Sequence, residues 1–215
     1  MTTYPILAIL SGTVAPFRGQ EPSAIAKQPL SGRARIGLEG IIGDQQADRK
    51  HHGGPDKALH HYAYDHYPTW GADLGDHPLL QSPGGFGENI ATLGLTEQDV
   101  LLGDRFRLGT ALVEVSHGRQ PCWKLGHRFG HAPLAAKIVQ NGRCGWYYRV
   151  IEQGDAAVGD SLTLVERGMP DWPISRLFHL LIGGGHKSDP SALPFLANLP
   201  MLAQAWRNRA AELAG

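Results

Sequence analysis

The residues best suited to chemistry gather in two stretches. The first is Ser116-His117-Gly118-Arg119-Gln120-Pro121-Cys122. Pro121 lacks a backbone donor and keeps its neighbour out of the helical region, so Cys122 stands at a fixed corner between loop and helix. A helix beginning near Trp123 would turn its positive end toward the sulfur and favour the thiolate, the form that attacks or ligates. Arg119 adds a cation or a two-pronged clamp for an anion. On spacing alone, Cys122 fits a packed structural cysteine equally well, because free cysteines are among the most buried residues. Cys144, in Gly142-Arg143-Cys144-Gly145, has no such frame and is expected to be structural.

The second stretch is Lys50-His51-His52-Gly53-Gly54-Pro55-Asp56-Lys57-Ala58-Leu59. Paired glycines let the backbone approach a ligand and offer N–H groups to an anion. The flanking lysines and histidines add donors and charge, which suits a phosphate or another compact anion. Taken alone, Gly-Gly-Pro usually means a tight turn, and no Gly-Lys-Ser/Thr follows to make a nucleotide loop. His51, His52, His60, His61 and His66 raise the question of zinc. Adjacent histidines on a strand point to opposite faces, however, and no standard ligand spacing is present, so the anion reading is the stronger. No Gly-x-Gly-x-x-Gly points to a nicotinamide cofactor.

Many short strands must position these stretches. The 28 glycines and 15 prolines are spread along the chain, as turns between strands require. Strands are expected at Tyr4–Leu10, within Gly32–Ile42, and at His60–Tyr64, Phe86–Ile90, Arg105–Leu108, Leu112–Ser116, Trp146–Glu152 and Ser161–Val165. Ser11–Pro22 reads as a turn-rich loop. Helices are expected over Asp65–Leu74, with Asp65 as N-cap, near Trp123, and over Pro133–Val139. Gly103-Asp104 and Gly159-Asp160 look like one local device used twice. Residues 1–168 therefore read as a mixed β-barrel domain with inserted helices. Residues 169–215 read as a three-helix extension: Ile174–Ile182, Ser191–Asn198 and Leu199–Leu213, with Gly183-Gly184-Gly185 as a breaker.

Composition narrows the function classes. The 42% hydrophobic content supports a packed core. Twenty Lys+Arg balance twenty Asp+Glu, so no global field draws nucleic acid or an acidic membrane. No apolar run reaches the ~20 residues a bilayer span needs. Two cysteines make no disulfide framework, and the apolar start lacks the basic region of a signal peptide, so the cytoplasm is the expected compartment.

The segments together are more specific than any one of them. Ser23-Ala24-Ile25-Ala26-Lys27 comes first, then Gly40–Asp44 leading to His52-Gly53-Gly54 with Lys57-Ala58-Leu59. Phe86-Gly87-Glu88-Asn89, Gly103-Asp104 and Arg119-x-Pro121-Cys122 follow. This order resembles the MOSC domain, closest to its YiiM-like branch, and Trp206-Arg207-x-Arg209 is similar to that branch's helical extension. The resemblance implies a closed β-barrel that binds the molybdenum cofactor, a pterin dithiolene carrying molybdenum and a phosphate. It places the metal ligand and catalytic role on Cys122, a soft thiolate that suits a metal already held by sulfur. Ser23, Lys27, Arg119 and the His52-Gly53-Gly54 loop become candidates for holding phosphate and pterin. Glu88 and Asn89 become candidates for orienting pterin or substrate. The implied reaction is reduction of N-hydroxylated compounds such as 6-hydroxylaminopurine.

Such a reaction consumes two electrons. Two cysteines cannot hold an iron–sulfur cluster, which takes about four, and no flavin or nicotinamide motif is present. An external electron-donor reductase is therefore expected, with the C-terminal helices either docking it or capping the barrel. Two other readings use the same residues. One is a sulfur-carrier or cofactor-handling module with a persulfide on Cys122, and the other is a binder of a phosphorylated ligand without chemistry.

Overall fold

The computed structural model describes residues 2–48 and 53–215. Its strands are β1 (Thr3–Ser11), β2 (Ala15–Arg18), β3 (Glu21–Ser23), β4 (Gln28–Pro29), β5 (Ala34–Gly37), β6 (Gly40–Ile41), β7 (Leu59–Ala63), β8 (Ile90–Thr92), β9 (Arg105–Leu108), β10 (Ala111–Gly118), β11 (Trp146–Glu152), β12 (Gly154–Ala156) and β13 (Ser161–Glu166). Seven of them run in the order β13-β9-β10-β11-β7-β8-β1, and β1 pairs back onto β13 to close a barrel. The β7–β8 pairing is parallel and the other barrel pairings are antiparallel, which makes the barrel mixed. Helices α1 (His66–Leu74), α2 (Trp123–Arg128) and α3 (Leu134–Asn141) are inserted between strands. The expected fold class is thus the observed one.

The two Gly-Asp turns are one device. Gly103 and Gly159 have φ of 80° and 94°, a region glycine enters without a Cβ penalty. Asp104 then accepts from Leu101 N at 2.9 Å, and Asp160 from Ala157 N at 3.0 Å. Each carboxylate also meets an arginine, Arg167 for Asp104 and Arg33 for Asp160.

Several local expectations fail for identifiable reasons. Ser11–Pro22 is largely a hairpin, β2–β3, turning near Gly19. Phe86–Ile90 is mostly a turn, because Gly84 and Gly87 take positive φ and the Glu88 carboxylate collects the loop's N–H groups; the strand begins at Ile90. Asp65 occupies the N-cap position of α1, yet its side chain accepts from Gly94 N instead.

The C-terminal residues form α4 (Ile174–Leu181), α5 (Leu193–Ala197) and α6 (Gln204–Ala214), with short 3-10 turns between α4 and α5. The last helix starts five residues later than expected, because Ala203 is extended and donates to Ser116 O of β10. Leu177, Phe178, Leu181, Leu202 and Trp206 join the same apolar core as the barrel residues Val113, Val115 and Trp146. Strand β10 is consequently buried along its whole length, covered by the helices as well as flanked by β9 and β11. Among the described residues no helix is long and apolar enough to cross a membrane.

Candidate active site

Strand β10 runs straight into the corner the sequence singles out. Arg119 N donates to Gly145 O at 3.0 Å, which fixes the turn. Cys122 then takes an extended conformation at the N-cap of α2, half-buried. It lines a cleft with about 640 Å³ of empty space, part of it open to solvent. Arg119, Lys27, Lys57 and Lys124 line the same cleft, against the two carboxylates Asp44 and Asp48. Among the described lining residues four cations face two anions, with Glu21 3.8 Å from Lys124 at the rim, an excess of positive charge that suits an anionic ligand.

Two cleft residues keep buried nitrogens without partners, Nη1 of Arg119 and Nε2 of His60. An unpaired buried polar atom costs about 1–3 kcal/mol, so such atoms mark places held ready for a ligand or catalysis. His60 comes from β7, and burial together with Arg119 drives its pKa well below the ordinary value. Its neighbour His61 points to the other face, bonded to Tyr148 and Thr92 at 3.0 and 2.9 Å, with its pKa pushed down by burial to about 3. The alternation that argued against zinc therefore sorts these two histidines into cleft and core.

The remaining candidates are placed as follows. Lys27 is bound by Asp44, at 2.6 Å to Oδ1 and 2.5 Å to Oδ2, and burial lowers its pKa while Asp44 opposes the shift. Asn89 lines the cleft and ties its wall together. It donates to Asp44 and Leu10 O and accepts from His60 N. Ser23, at the end of β3, also lines the cleft. Glu88 does not line it; that carboxylate is fully buried and bonded to Gly84 N, Phe86 N and the Tyr67 hydroxyl. Gly53 and Gly54 lead into a 3-10 turn at Pro55–Lys57, with Gly54 at φ 96°, and it is Lys57 from this turn that lines the cleft. His52 lies outside the described residues, as do Lys50 and His51.

Sequence reasoning missed Asp44, His60, Lys124 and Tyr147 as cleft residues. Lys124 carried a signal, since it lies two residues after Cys122 in the first turn of α2. Tyr147 carried none, because its neighbours Trp146 and Tyr148 are core residues of the same apolar strand. Burial holds the Tyr147 phenol above its ordinary pKa, with Arg119 opposing. Cys144 is fully buried, donates to Gly145 O at 3.1 Å, and has its pKa raised well above the thiol range, first by burial and then by Glu97.

Residues 48–163 match the MOSC domain. The chain belongs to the MOSC domain family. It is 40% identical to protein YiiM of Escherichia coli (strain K12) over 164 residues, covering 76% of this chain and 73% of that one. It is 38% identical over 157 residues to a protein named reductase from Gibberella moniliformis (strain M3125 / FGSC 7600), covering 73% of this chain but 28% of that longer one. The crystal structure of YiiM from Geobacillus stearothermophilus superposes with a TM-score of 0.82 at 33% identity, covering 99% of this chain and all of that one. MOSC domains are associated with the molybdenum cofactor.

The cleft of this MOSC protein fits that cofactor. A soft sulfur and the unpaired Arg119 nitrogen belong to residues lining one cleft, the chemistry that a metal–sulfur centre and an anionic phosphate respectively call for.

Proposed function

We propose that this MOSC protein is a molybdenum-cofactor-dependent reductase of N-hydroxylated compounds such as 6-hydroxylaminopurine, acting in the cytoplasm. The observation that carries the reading is the half-buried Cys122 in a positive cleft with unpaired buried nitrogens on Arg119 and His60. When bound, the cofactor would supply a two-electron redox centre for reduction of the N–O bond, held by Cys122 and Arg119. Overall, a hydroxylamine takes up two electrons and two protons to give the amine and water. The electrons come from an external donor reductase.

The chain's own residues have distinct parts in this reading. Cys122 Sγ ligates the metal, and Arg119 and Lys124 hold the phosphate, with Lys57 adding charge. Ser23 and Asn89 border the pterin or the substrate. Lys27, paired to Asp44, contributes little net charge, because its partner already balances it. His60 stays neutral at physiological pH and can take part in a hydrogen bond without adding a charge. Tyr147 keeps its phenolic proton and can donate it in a hydrogen bond to a substrate oxygen.

The test is elemental analysis and turnover of protein made in a host that synthesises the cofactor. Wild type is expected to carry molybdenum and to reduce 6-hydroxylaminopurine with a chemical reductant, but not with nicotinamide cofactor alone. Cys122→Ala is expected to lose the metal, and Cys144→Ala to keep it. Equal molybdenum in wild type and Cys122→Ala would remove the ligand assignment. Wild type lacking stoichiometric molybdenum would favour a carrier instead.

A further inference from the structure

A second depression shares Asp44, Gln45 and Gln46 with the Cys122 cleft, so the two adjoin along that segment. Its character is different. Val14, Leu38 and Ile42 line it and are exposed by 42%, 55% and 66%, three of the nine large apolar side chains that stand exposed among the described residues. Single exposed apolar residues are ordinary, whereas three gathered beside a reactive cleft are not.

The β5–β6 hairpin builds this groove from glycines. Gly40 has φ 114°, and a Cβ there would stand 2.1 Å from Ala58 O, so no side chain can occupy that position. A Cβ on Gly37 would stand 2.9 Å from Ile42 Cδ1, so the bare backbone is what lets Ile42 lie across the hairpin. The result is a shallow channel with three exposed apolar side chains, bordered by the polar residues Glu39, Gln153 and Asp44–Gln46. Three side chains are far too few for a stable protein partner, which needs about 800 Å² on each side. They suit one hydrocarbon segment of a small ligand. Continuity with the cleft says where the rest of that ligand sits.

We propose that this groove is an apolar subsite of the Cys122 cleft, taking the hydrocarbon extension of an N-hydroxylated substrate whose polar end enters the cleft. The substrate part rests on the reductase reading; the groove itself rests on geometry. The ligand class is therefore amphiphilic, a hydroxylamine head and an apolar tail joined across the Asp44–Gln46 segment.

The test compares N-phenylhydroxylamine with its 4-hexyl derivative on cofactor-loaded protein, and measures binding of the product, 4-hexylaniline, by calorimetry. Each buried methylene is worth about fourfold in affinity, so shielding two of the six hexyl carbons lowers the KM of the hexyl compound roughly 15-fold relative to the parent. The Leu38→Ser/Ile42→Ser double variant should erase most of that ratio and weaken 4-hexylaniline binding by a similar factor. Val14→Ser should erase part of it. Both compounds turned over with the same ratio in wild type and double variant would overturn the subsite and leave the reductase reading standing. No turnover of either compound or of 6-hydroxylaminopurine, with 4-hexylaniline binding still lost in the double variant, would overturn the reductase reading and leave the subsite standing. Wild-type dimers that the double variant splits, with 4-hexylaniline binding unchanged, would make the groove a contact between copies and overturn the proposal.

Discussion

The Gly84–Asn89 loop and the Arg119–Cys122 corner border the same cleft but treat their polar atoms in opposite ways. In the loop the side-chain carboxylate of Glu88 and amide of Asn89 both find partners. Glu88 accepts from Gly84 N, Phe86 N and Tyr67, while Arg128 donates to the carbonyls of Gly85 and Gly84 at 3.0 and 3.1 Å. At the corner, Arg119 is buried with Nη1 unpaired, and the cleft wall beside it holds the unpaired Nε2 of His60. A saturated loop is a frame, since any ligand would have to compete with bonds already made. An unsaturated corner is a site, since a ligand there recovers a desolvation cost the fold carries. Glu88 and Arg119 were both singled out from the sequence, and only their partners separate them.

The strongest way to break this comparison is Glu88→Ala. It would strand Phe86 N and the Tyr67 hydroxyl in the interior and leave Gly84 N only its longer bond to Tyr67, and each buried donor left unsatisfied costs about 1–3 kcal/mol. A destabilisation of about 3 kcal/mol or more is expected from urea unfolding, together with loss of the cleft wall at Phe86 and Gly87. A change below about 1 kcal/mol would mean that water replaces the carboxylate and that the loop is no frame.

Acid sharpens the comparison less drastically. His60, His61 and His117 are buried and held neutral, with pKa values lowered by burial, to about 3 for His61. Unfolding frees each to protonate near pH 6.5, so below that pH the unfolded state binds more protons than the folded one. Stability is therefore intact above about pH 6.5 and falls as pH drops toward the folded values. Each histidine contributes about 1.4 kcal/mol per pH unit well inside that window. Chemical unfolding between pH 7 and 5 should give a steeper loss in wild type than in His61→Gln. Parallel curves would show that His61 is not buried neutral.

How much was legible in the sequence follows the same division. Periodicity located the barrel strands because burial on one or both faces writes itself into residue order, as along Ala111–Gly118. The Gly-Asp turns were legible because φ near +80° admits few residues besides glycine. The Phe86–Ile90 turn was not, since its conformation depends on Tyr67 and Arg128, far away in the chain. The Cys122 corner was visible through Pro121 and Arg119. The Lys27–Asp44 pair was not, because the two residues meet only after β1 and β4 assemble. Ion pairs between distant segments leave no local trace.

The smallest effect on stability, and the sharpest contrast with Glu88, is expected from Arg119→Met. The backbone bond from Arg119 N to Gly145 O survives the change, so the corner keeps its path. Methionine retains most of the aliphatic length of the side chain and removes a buried nitrogen that has no partner, and that relieved desolvation offsets the lost side-chain bond to Tyr147. The change in unfolding free energy should stay within about 0.5 kcal/mol. Function should respond quite differently. A charge-assisted bond to a phosphate is worth about 1.5–3 kcal/mol, so molybdenum retained after dialysis should reflect a roughly 10- to 100-fold weaker affinity. Stable protein with weakened retention is the pattern of a site residue, and the reverse of what Glu88→Ala should give. If Arg119→Met instead unfolds at much lower urea while the metal remains with the folded fraction, Arg119 belongs to the frame, and the unpaired nitrogen has been misread as a place for a ligand.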